Sequence, residues 1–251
     1  MIPIPNLPRT IIIAFIPAPF GGVDNGLYAK ARLSAVHKIT EIGMELDVLR
    51  ENKVLAHRNL HHLQDHGVKS VDVMGSIGAG KTSLIIRLAE KLIAKGLRVA
   101  AVAGDVTGAD DFGRMEAAGI VSVNCNTGKE CHLDAHMVEH ALEDLDLDSV
   151  DVLFIENVGN LVCPADFPLG TDHRMVVISV TEGDDMVRKH PDIFLHSDLA
   201  VLNKVDIAPY VDMDVSRVVK DYASIRPDSK IHCVSVKTDE GLDELIADLG
   251  L

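Results

Sequence analysis

The chain has 251 residues, 47% of them hydrophobic and 25% charged, and its 24 Lys and Arg against 38 Asp and Glu give a net charge of −14. This length and composition predict one large globular domain or a domain with an appendage. The negative charge would repel nucleic-acid phosphates and an anionic membrane surface, so we expect neither as a partner. The four cysteines form no C-x-x-C pair, which favours a reducing, cytoplasmic setting.

The N-terminal part divides into two segments. Residues 1–26 contain repeated prolines, and their unbroken apolar run is far shorter than the roughly 20 residues of a membrane span. This pattern predicts an irregular or disordered extension, with a docked arm as the alternative. Residues 27–66 carry apolar residues at mixed spacings of three and four, which predicts a helical segment. The histidines of that segment, including His57, His61 and His62, are expected on a solvated helix face.

Apolar, β-rich runs alternate with amphipathic helical patterns over residues 67–251. The predicted strands are VKSVDVMG, RVAAVAGD, IVSVNCN, VDVLFIEN, RMVVISVTEG, LAVLNKVD and KIHCVSVK. The predicted helices lie near residues 81–95, 109–118, 134–145, 214–225 and 241–249. Strands of nearly continuous Val, Ile and Leu that alternate with helices are typical of a parallel sheet covered on both faces. The predicted fold is therefore α/β, a doubly wound, mostly parallel sheet in one domain.

A phosphate-binding motif opens this domain. GSIGAGKT matches G-x-x-x-x-G-K-[ST] between a predicted strand and a predicted helix. Its glycines allow backbone N–H groups to wrap a phosphate, Lys81 neutralises the β- and γ-phosphates, and the Thr82 hydroxyl can ligate Mg²⁺. We therefore predict a P-loop NTPase. The predicted nucleotide contacts here are Gly75, Ser76, Ile77, Gly78, Ala79, Gly80, Lys81, Thr82 and Ser83.

A second motif selects the base. Residues 203–206 read N-K-x-D at the end of another strand. The Asp206 carboxylate can accept from N1–H and from the exocyclic amine of guanine, while the stem of Lys204 covers the base. The predicted contacts are Asn203, Lys204 and Asp206, with backbone N–H contacts to guanine O6 from Ser235, Val236 and Lys237. These groups predict GTP and GDP rather than ATP as the ligand.

Acidic residues at strand ends complete the predicted hydrolytic site. Asp105, Asp110 and Asp111 are suited to Mg²⁺ and to ordering an attacking water, and the sequence leaves their division of roles open. Glu156 lies where most small switch GTPases have Asp, and the Gly159 backbone N–H could contact the γ-phosphate. The predicted catalytic residues are Lys81, Asp105, Glu156 and Gly159, and the predicted Mg²⁺ ligands are Thr82, Asp105 and Glu156. No arginine finger is identifiable, so we expect slow turnover.

Two cysteines and a histidine are predicted on the same edge of the sheet. Cys131 and His132 follow one strand and Cys163 follows another, and parallel strands present their C-terminal ends on one rim. Thiolates and imidazole suit Ni²⁺ or Zn²⁺, with one position left for water, a partner or a second subunit. Gly159 lies only a few residues before Cys163. A loop that tightens with GTP would therefore move the thiolate, which predicts metal affinity coupled to the nucleotide state.

Other interpretations of these residues stay open. The neighbouring Cys131 and His132 could form a nucleophile pair, although no third orienting group is identifiable, and Cys131 could simply be a buried small hydrophobe. Burial is the favoured interpretation of the remaining two cysteines, Cys125 and Cys233. One turn apart on a single helix face, His136 and His140 could be secondary metal ligands.

Taken together, six motifs resemble the HypB family, the GTPases that assist nickel insertion into [NiFe] hydrogenases. They are GSIGAGKTSL, GD-x₄-DD-x₂-R, NTGKECHLDAHMVEHAL, FIENVGNLVCPADFPLG, VTEGDD and NKVD, and the resemblance covers about residues 40–251. It implies a P-loop GTPase of the class that dimerises with nucleotide, with Cys131, His132 and Cys163 as the nickel or zinc site near the dimer interface. It also implies two partners, a small zinc-binding nickel chaperone and the hydrogenase large-subunit precursor.

Departures from that family pattern narrow the expectation. No cysteine precedes Cys125, so a second, high-affinity nickel store is not expected and the pattern is closest to archaeal members. The alternatives are a urease-type nickel accessory GTPase, whose motif is Cys-x-His, and a metal-storage protein that uses GTP to control its oligomeric state. An ATPase of the related deviant class would carry a Lys after the first glycine of the loop, where Ser76 and Ile77 lie.

Overall fold

The computed structural model describes residues 46–251, in which seven strands form one parallel sheet. The strand order is β3-β2-β4-β1-β5-β6-β7, and every neighbouring pair is parallel. The strands are β1 (Lys69–Gly75), β2 (Val99–Asp105), β3 (Val121–Asn126), β4 (Val152–Glu156), β5 (His173–Ser179), β6 (Leu199–Asn203) and β7 (Ile231–Cys233). The predicted doubly wound α/β fold is confirmed.

Helices cover both faces of the sheet. The described part of the first helix, α1, covers residues 46–65. The others are α2 (Lys81–Ala94), α3 (Asp110–Ala117), α4 (Ala135–Glu143), α5 (Met186–Lys189), α6 (Pro191–Leu195), α7 (Val215–Ile225) and α8 (Leu242–Asp248). One core joins α2, α3 and α8 to the sheet, and the opposite face holds two cores, one with α1 and α4 and one with α5, α6 and α7. Within residues 46–251 no helix is long and apolar enough to cross a membrane.

The strand and helix patterns of the sequence agree with the structure at most positions. The prediction for β5 was too long, because the Ser179 and Glu182 side chains form a capping box that starts a 3₁₀ turn directly after the strand. The strand β7 is also shorter than predicted. The helices α5 and α6 were not predicted, since four or five residues are too few to show a helical period.

The N-terminal predictions lie mostly outside the described residues. This holds for the predicted extension over residues 1–26 and for the first part of the segment over residues 27–66. The described helix α1 contributes Leu63, which is fully buried, to the core with α4. The buried Asn59 side chain donates to the carbonyls of Ala135, at 2.7 Å, and Leu169, at 3.0 Å. The end of α1 is therefore fixed to the sheet domain by packing and by hydrogen bonds.

Candidate functional site

The phosphate loop connects β1 to α2. Gly80 has φ +94°, and a Cβ there would lie 2.6 Å from Asn203 Nδ2, so both the turn and the close approach require glycine. No side chain caps the first turn of α2, which leaves its N–H groups open to an anion. Lys81 is buried and its Nζ donates to the carbonyls of Gly75, at 3.3 Å, and Ser76, at 3.2 Å. The loop therefore directs backbone N–H groups and one ammonium group at the same space.

Acidic side chains face the hydroxyl at the start of α2. Thr82 Oγ1 lies 2.7 Å from Asp111 Oδ1 and 3.0 Å from Glu156 Oε1. Burial raises the pKa of Glu156 to about 7, although the Lys81 charge opposes this rise. Among the described residues nothing hydrogen-bonds the buried Glu156 Oε2. A hydroxyl and two carboxylates, one with an unpaired buried oxygen, fit a magnesium ion.

Of the three predicted aspartates, Asp105, Asp110 and Asp111, it is Asp111 that contacts the Thr82 hydroxyl. Asp105, predicted as a ligand, lines the same cavity, and its Oδ1 accepts from the Val106 backbone N–H at 2.6 Å. Asp110 lies in the first turn of α3 with Asp111. Arg114, which ends the motif with Asp110 and Asp111 but was given no role from the sequence, donates to Ser83 Oγ at 2.8 Å and to Asp111 Oδ1 at 3.2 Å and lines the cavity. Its spacing of three residues after Asp111 on a helix was the available signal.

Two adjoining cavities meet at the phosphate loop. The first, of about 510 Å³, is lined by phosphate-loop residues, by the acidic residues and by Gly159. The second, of about 340 Å³, is lined by residues of the predicted base site. Both cavities share Gly80, Ser83 and Lys204. The predicted contacts Gly75, Ser76, Ala79 and Ser235 line neither cavity. The remaining predicted contacts line the first cavity, at Ile77, Gly78, Lys81 and Thr82, or the second, at Asn203, Asp206, Val236 and Lys237.

The base cavity is held to the phosphate loop by the N-K-x-D segment. Asn203 Nδ2 donates to the Ala79 carbonyl at 3.0 Å, and Lys204 Nζ donates to the Gly78 carbonyl at 2.7 Å. Ser235 Oγ donates to Asp206 Oδ1 at 2.8 Å and so orients that carboxylate. Ser235, which does not line the cavity itself, therefore fixes the Asp206 side chain that does.

The structure brings Cys131, His132 and Cys163 together beside the phosphate loop, and these three residues are called the thiol–imidazole group below. Their ligand atoms all lie within 4.8 Å of one another, and no other such group of three occurs in residues 46–251. The two Sγ atoms are 3.0 Å apart, longer than the roughly 2.05 Å of a disulfide, and both thiols are free. Two thiolates on one tetrahedral Zn²⁺ would lie about 3.8 Å apart. An opening of less than about 1 Å would therefore admit such an ion.

Protonation in this group follows from its surroundings. A hydrogen bond with Cys163 is the main cause that raises the pKa of the Cys131 thiol. Burial lowers the pKa of His132, which favours the neutral imidazole that a metal needs as a ligand. The His132 ring stacks on Phe167, with ring centroids 4.0 Å apart. Phe167 follows Cys163 along the chain, so this contact also joins the two loops.

The remaining candidate ligands lie outside this group. His136 and His140 on α4 contact each other, with their Nε2 atoms 3.3 Å apart. Cys131 Sγ is 3.8 Å from His132 Nδ1, longer than its distance to the other thiol. The remaining thiols, of Cys125 and Cys233, are half-buried in strands, and burial raises the pKa of each. The described residues of α1 expose the imidazoles of His57, His61 and His62.

Asn160 joins the thiol–imidazole group to the phosphate loop. Its backbone N–H donates to the Gly75 carbonyl at 3.0 Å, and its side chain donates to the Cys131 carbonyl at 3.2 Å. The preceding residue, Gly159, packs so closely on Ile77 that a Cβ would lie 2.3 Å from Cγ1 and 3.1 Å from the backbone. The loop that carries Cys163 is therefore in direct contact with the phosphate loop.

These features define a P-loop nucleotide-binding protein with a thiol–imidazole group beside its phosphate loop. The family model "CobW/HypB/UreG, nucleotide-binding domain" matches residues 70–233. A "probable hydrogenase maturation factor HypB" of Methanocaldococcus jannaschii is 51% identical over 211 residues, which cover 84% of this chain and 95% of the relative. The chain therefore belongs to the HypB hydrogenase maturation factor family.

Solved structures of two relatives have the same fold. A crystal structure of hydrogenase maturation factor HypB from Archaeoglobus fulgidus is 46% identical, with a TM-score of 0.74 over 80% of this chain and 98% of that one. A crystal structure of HypB from Helicobacter pylori in complex with nickel is 33% identical, with a TM-score of 0.75 over 79% of this chain and 93% of that one. The similarity extends over nearly all of both relatives.

Proposed function

We propose that the chain is a GTP-hydrolysing metallochaperone that binds nickel through Cys131, His132 and Cys163 and assists its insertion into [NiFe] hydrogenase. Nickel is the cargo in this proposal, and zinc competes for the same ligands. The metal affinity depends on the bound nucleotide. The observation that carries the proposal is the double contact of Asn160, which bonds the phosphate loop through its backbone and the Cys131 carbonyl through its side chain.

The coupling follows from this contact. A γ-phosphate placed against the Gly159 N–H would shift the backbone on which Asn160 also lies. Because Asn160 bonds Cys131 and precedes Cys163 by three residues, that shift alters the separation of the two thiols. A two-state loop of this kind can favour a closed metal site with one nucleotide and an open one with the other.

The nucleotide site would act on GTP as follows. The α2 N–H groups and Lys81 hold the phosphates, and Asp206 holds the guanine edge. Thr82, Asp111 and Glu156 would hold Mg²⁺, and Asp105, which lines the same cavity, would ligate the ion or order water. When bound, that ion neutralises charge that develops on the phosphates. Arg114 lines the same cavity and would add a further positive charge.

A homodimer completes the proposed cycle. Ile77 in the phosphate loop is 84% exposed, and Val162 beside Cys163 is 60% exposed. Two apolar side chains on the edge that carries both sites support a second copy as the occupant. That copy could supply the fourth metal ligand. Transfer would involve a small zinc-binding chaperone and the hydrogenase large-subunit precursor in the cytoplasm, as the family resemblance implies.

The test is a Ni²⁺ titration of the full chain loaded with GDP or with a non-hydrolysable GTP analogue. The expected result is a difference in affinity of at least about fivefold, the lower range of allosteric coupling. Equal affinities would rule out the coupling. Asn160→Ala should reduce the difference, while Asn124→Ala should not, because the Asn124 side chain bonds Gly108 instead.

The second candidate is a urease-type accessory role, which the breadth of the matching CobW/HypB/UreG family supports. A growth experiment separates the two. A deletion strain of the source organism should lose hydrogenase activity in low nickel and regain it with added nickel. Normal hydrogenase activity with lost urease activity would favour the second candidate.

A further inference from the structure

A buried ion pair in the sheet is linked by hydrogen bonds to the loops that carry the thiol–imidazole group. Asp72 on β1 is fully buried, and its Oδ2 lies 3.6 Å from Nε of Arg174 on β5, whose side chain is 14% exposed. The two residues are register partners in neighbouring strands. A buried carboxylate is costly unless charges and hydrogen bonds compensate it, and hydrophobic residues would often replace such a pair without loss of stability. The pair therefore needs an explanation beyond core packing.

One arm of this network reaches Cys163. The Arg174 guanidinium donates to the carbonyl of Pro164, the residue after Cys163, and to that of Ala165 at 3.3 Å. It also donates to the His196 carbonyl at 2.9 Å. Because its planar fork engages several carbonyls at once, Arg174 fixes the short turn that begins at Cys163.

The other arm reaches His132. Asn157 follows β4 and is buried, and its Nδ2 donates to Asp72 Oδ1 at 3.2 Å. Its Oδ1 accepts from the backbone N–H of Leu133, at 3.0 Å, and Leu133 is the residue after His132. Asp72 is thus the shared centre of two arms. Each arm ends one residue away from a member of the thiol–imidazole group.

We propose that Asp72, Arg174 and Asn157 form a positioning unit that sets the separation of Cys163 from Cys131 and His132. The unit extends the proposed function, since it acts on the same metal site. None of its side chains belongs to the thiol–imidazole group. Arg174 and Asn157 bond backbone groups next to Cys163 and His132, and Asp72 joins Arg174 to Asn157. The unit explains why the core retains a charge pair at this point of the sheet.

The test compares Ni²⁺ binding to the full chain, loaded with GDP, in the wild type and in Arg174→Gln. We follow the thiolate-to-nickel absorption band in a titration with Ni²⁺ alone. The variant should bind Ni²⁺ about tenfold to a hundredfold more weakly, the usual cost of an outer-shell partner, with a shifted band. Its GDP affinity should stay within about threefold of wild type, since Arg174 contacts neither nucleotide cavity.

A matched control is Arg226→Gln. Arg226 also donates to three carbonyls, those of Phe194, Leu195 and Ser197, but none of them lies in the loops that carry Cys131, His132 and Cys163. This control should keep the wild-type Ni²⁺ affinity and band. If Arg174→Gln does not fold, Arg174→Lys is measured, which keeps the charge beside Asp72 but not the fork, and it should show a smaller loss with the same band shift.

The outcomes separate this inference from the function on which it rests. A folded Arg174 variant with wild-type Ni²⁺ affinity and band would overturn the positioning unit. The same holds if the Arg226 and Arg174 variants lose Ni²⁺ affinity equally. A wild-type protein without a nickel band that depends on Cys131 and Cys163 would instead overturn the proposed function.

Discussion

The phosphate loop and the thiol–imidazole group share one edge of the sheet but are built in opposite ways. The phosphate loop is a continuous run of residues, shaped by its own glycines, and its Lys81 and Thr82 are buried. The thiol–imidazole group joins loops whose cysteines are 32 positions apart, and it is partly exposed. The phosphate loop is therefore shaped by local backbone geometry. The thiol–imidazole group depends on contacts between segments, and this makes it the more adjustable of the two.

The largest expected effect is on the adjustable site. Cys163→Ser should lower the Ni²⁺ affinity by more than the ~100-fold upper cost of an outer-shell change, because a hydroxyl is a poor substitute for a soft thiolate ligand. GDP affinity should not change. Competition with a chromophoric chelator measures the first and calorimetry the second. Cys233→Ser, at a half-buried thiol in β7, is the matched control, and an equal loss there would contradict the assignment.

The reverse experiment perturbs the nucleotide site alone. Asp206→Asn should lower GDP affinity about a hundredfold, because the Asn amide nitrogen cannot accept from the guanine amine and the acceptor that remains for N1–H is no longer charged. The variant should prefer the xanthine nucleotide, whose base presents a carbonyl where guanine has an amine. Nucleotide-free Ni²⁺ affinity should match the wild type. Fluorescent GDP and XDP analogues give both affinities, and unchanged GDP binding would reject the base assignment.

A third experiment concerns the buried network of Asp72, Arg174 and Asn157. Burial raises the pKa of Asp72 to about 6, against 3.8 for the ordinary value, with Arg174 and Asn157 opposing the rise. The folded state therefore binds this proton more tightly than the unfolded state. Ionised Asp72 destabilises the fold above pH 6, and the penalty is relieved as the pH falls toward 4.

We expect the unfolding free energy of the wild type to depend on pH differently from that of Asp72→Asn. Between pH 7 and pH 4.5 the wild type should gain about 2 kcal/mol of unfolding free energy relative to Asp72→Asn, by linkage from the two pKa values. Urea denaturation of both proteins at both pH values isolates this term, because the other groups titrate in both. Parallel pH profiles would show that Asp72 keeps an ordinary pKa in the fold.

The same contrast explains what could be predicted from the sequence. The phosphate loop at Gly75–Lys81 could be predicted because its glycines and lysine lie within a few neighbouring positions, between a strand pattern and a helix pattern. The meeting of Cys131 with Cys163 was predictable only through the rule that parallel strands end on one rim. The parts that escaped prediction, Arg174 and Asn157, act through contacts that span from 9 positions to the 102 between Asp72 and Arg174, for which a single sequence carries no local signal.

The choice among the three aspartates also depends on contacts between distant segments. The sequence left open which of Asp105, Asp110 and Asp111 faces the metal side, and the structure brings Asp111 to Thr82. The choice depends on how α3 is rotated about its axis against α2. That rotation is set by core residues such as Met115, which is fully buried against the sheet, and not by the acidic residues themselves.

The smallest expected effect concerns the surface between the two sites. If a second copy covers this edge, Ile77→Ser should weaken the nucleotide-dependent dimer about tenfold, a fraction of what full burial of an Ile side chain contributes. The unfolding free energy should stay the same, because Ile77 is 84% exposed. Val121→Ser, at a residue 64% exposed where β3 begins, should leave the dimer unchanged. Sedimentation with a GTP analogue measures both, and an unaffected Ile77→Ser dimer would place the interface on another surface.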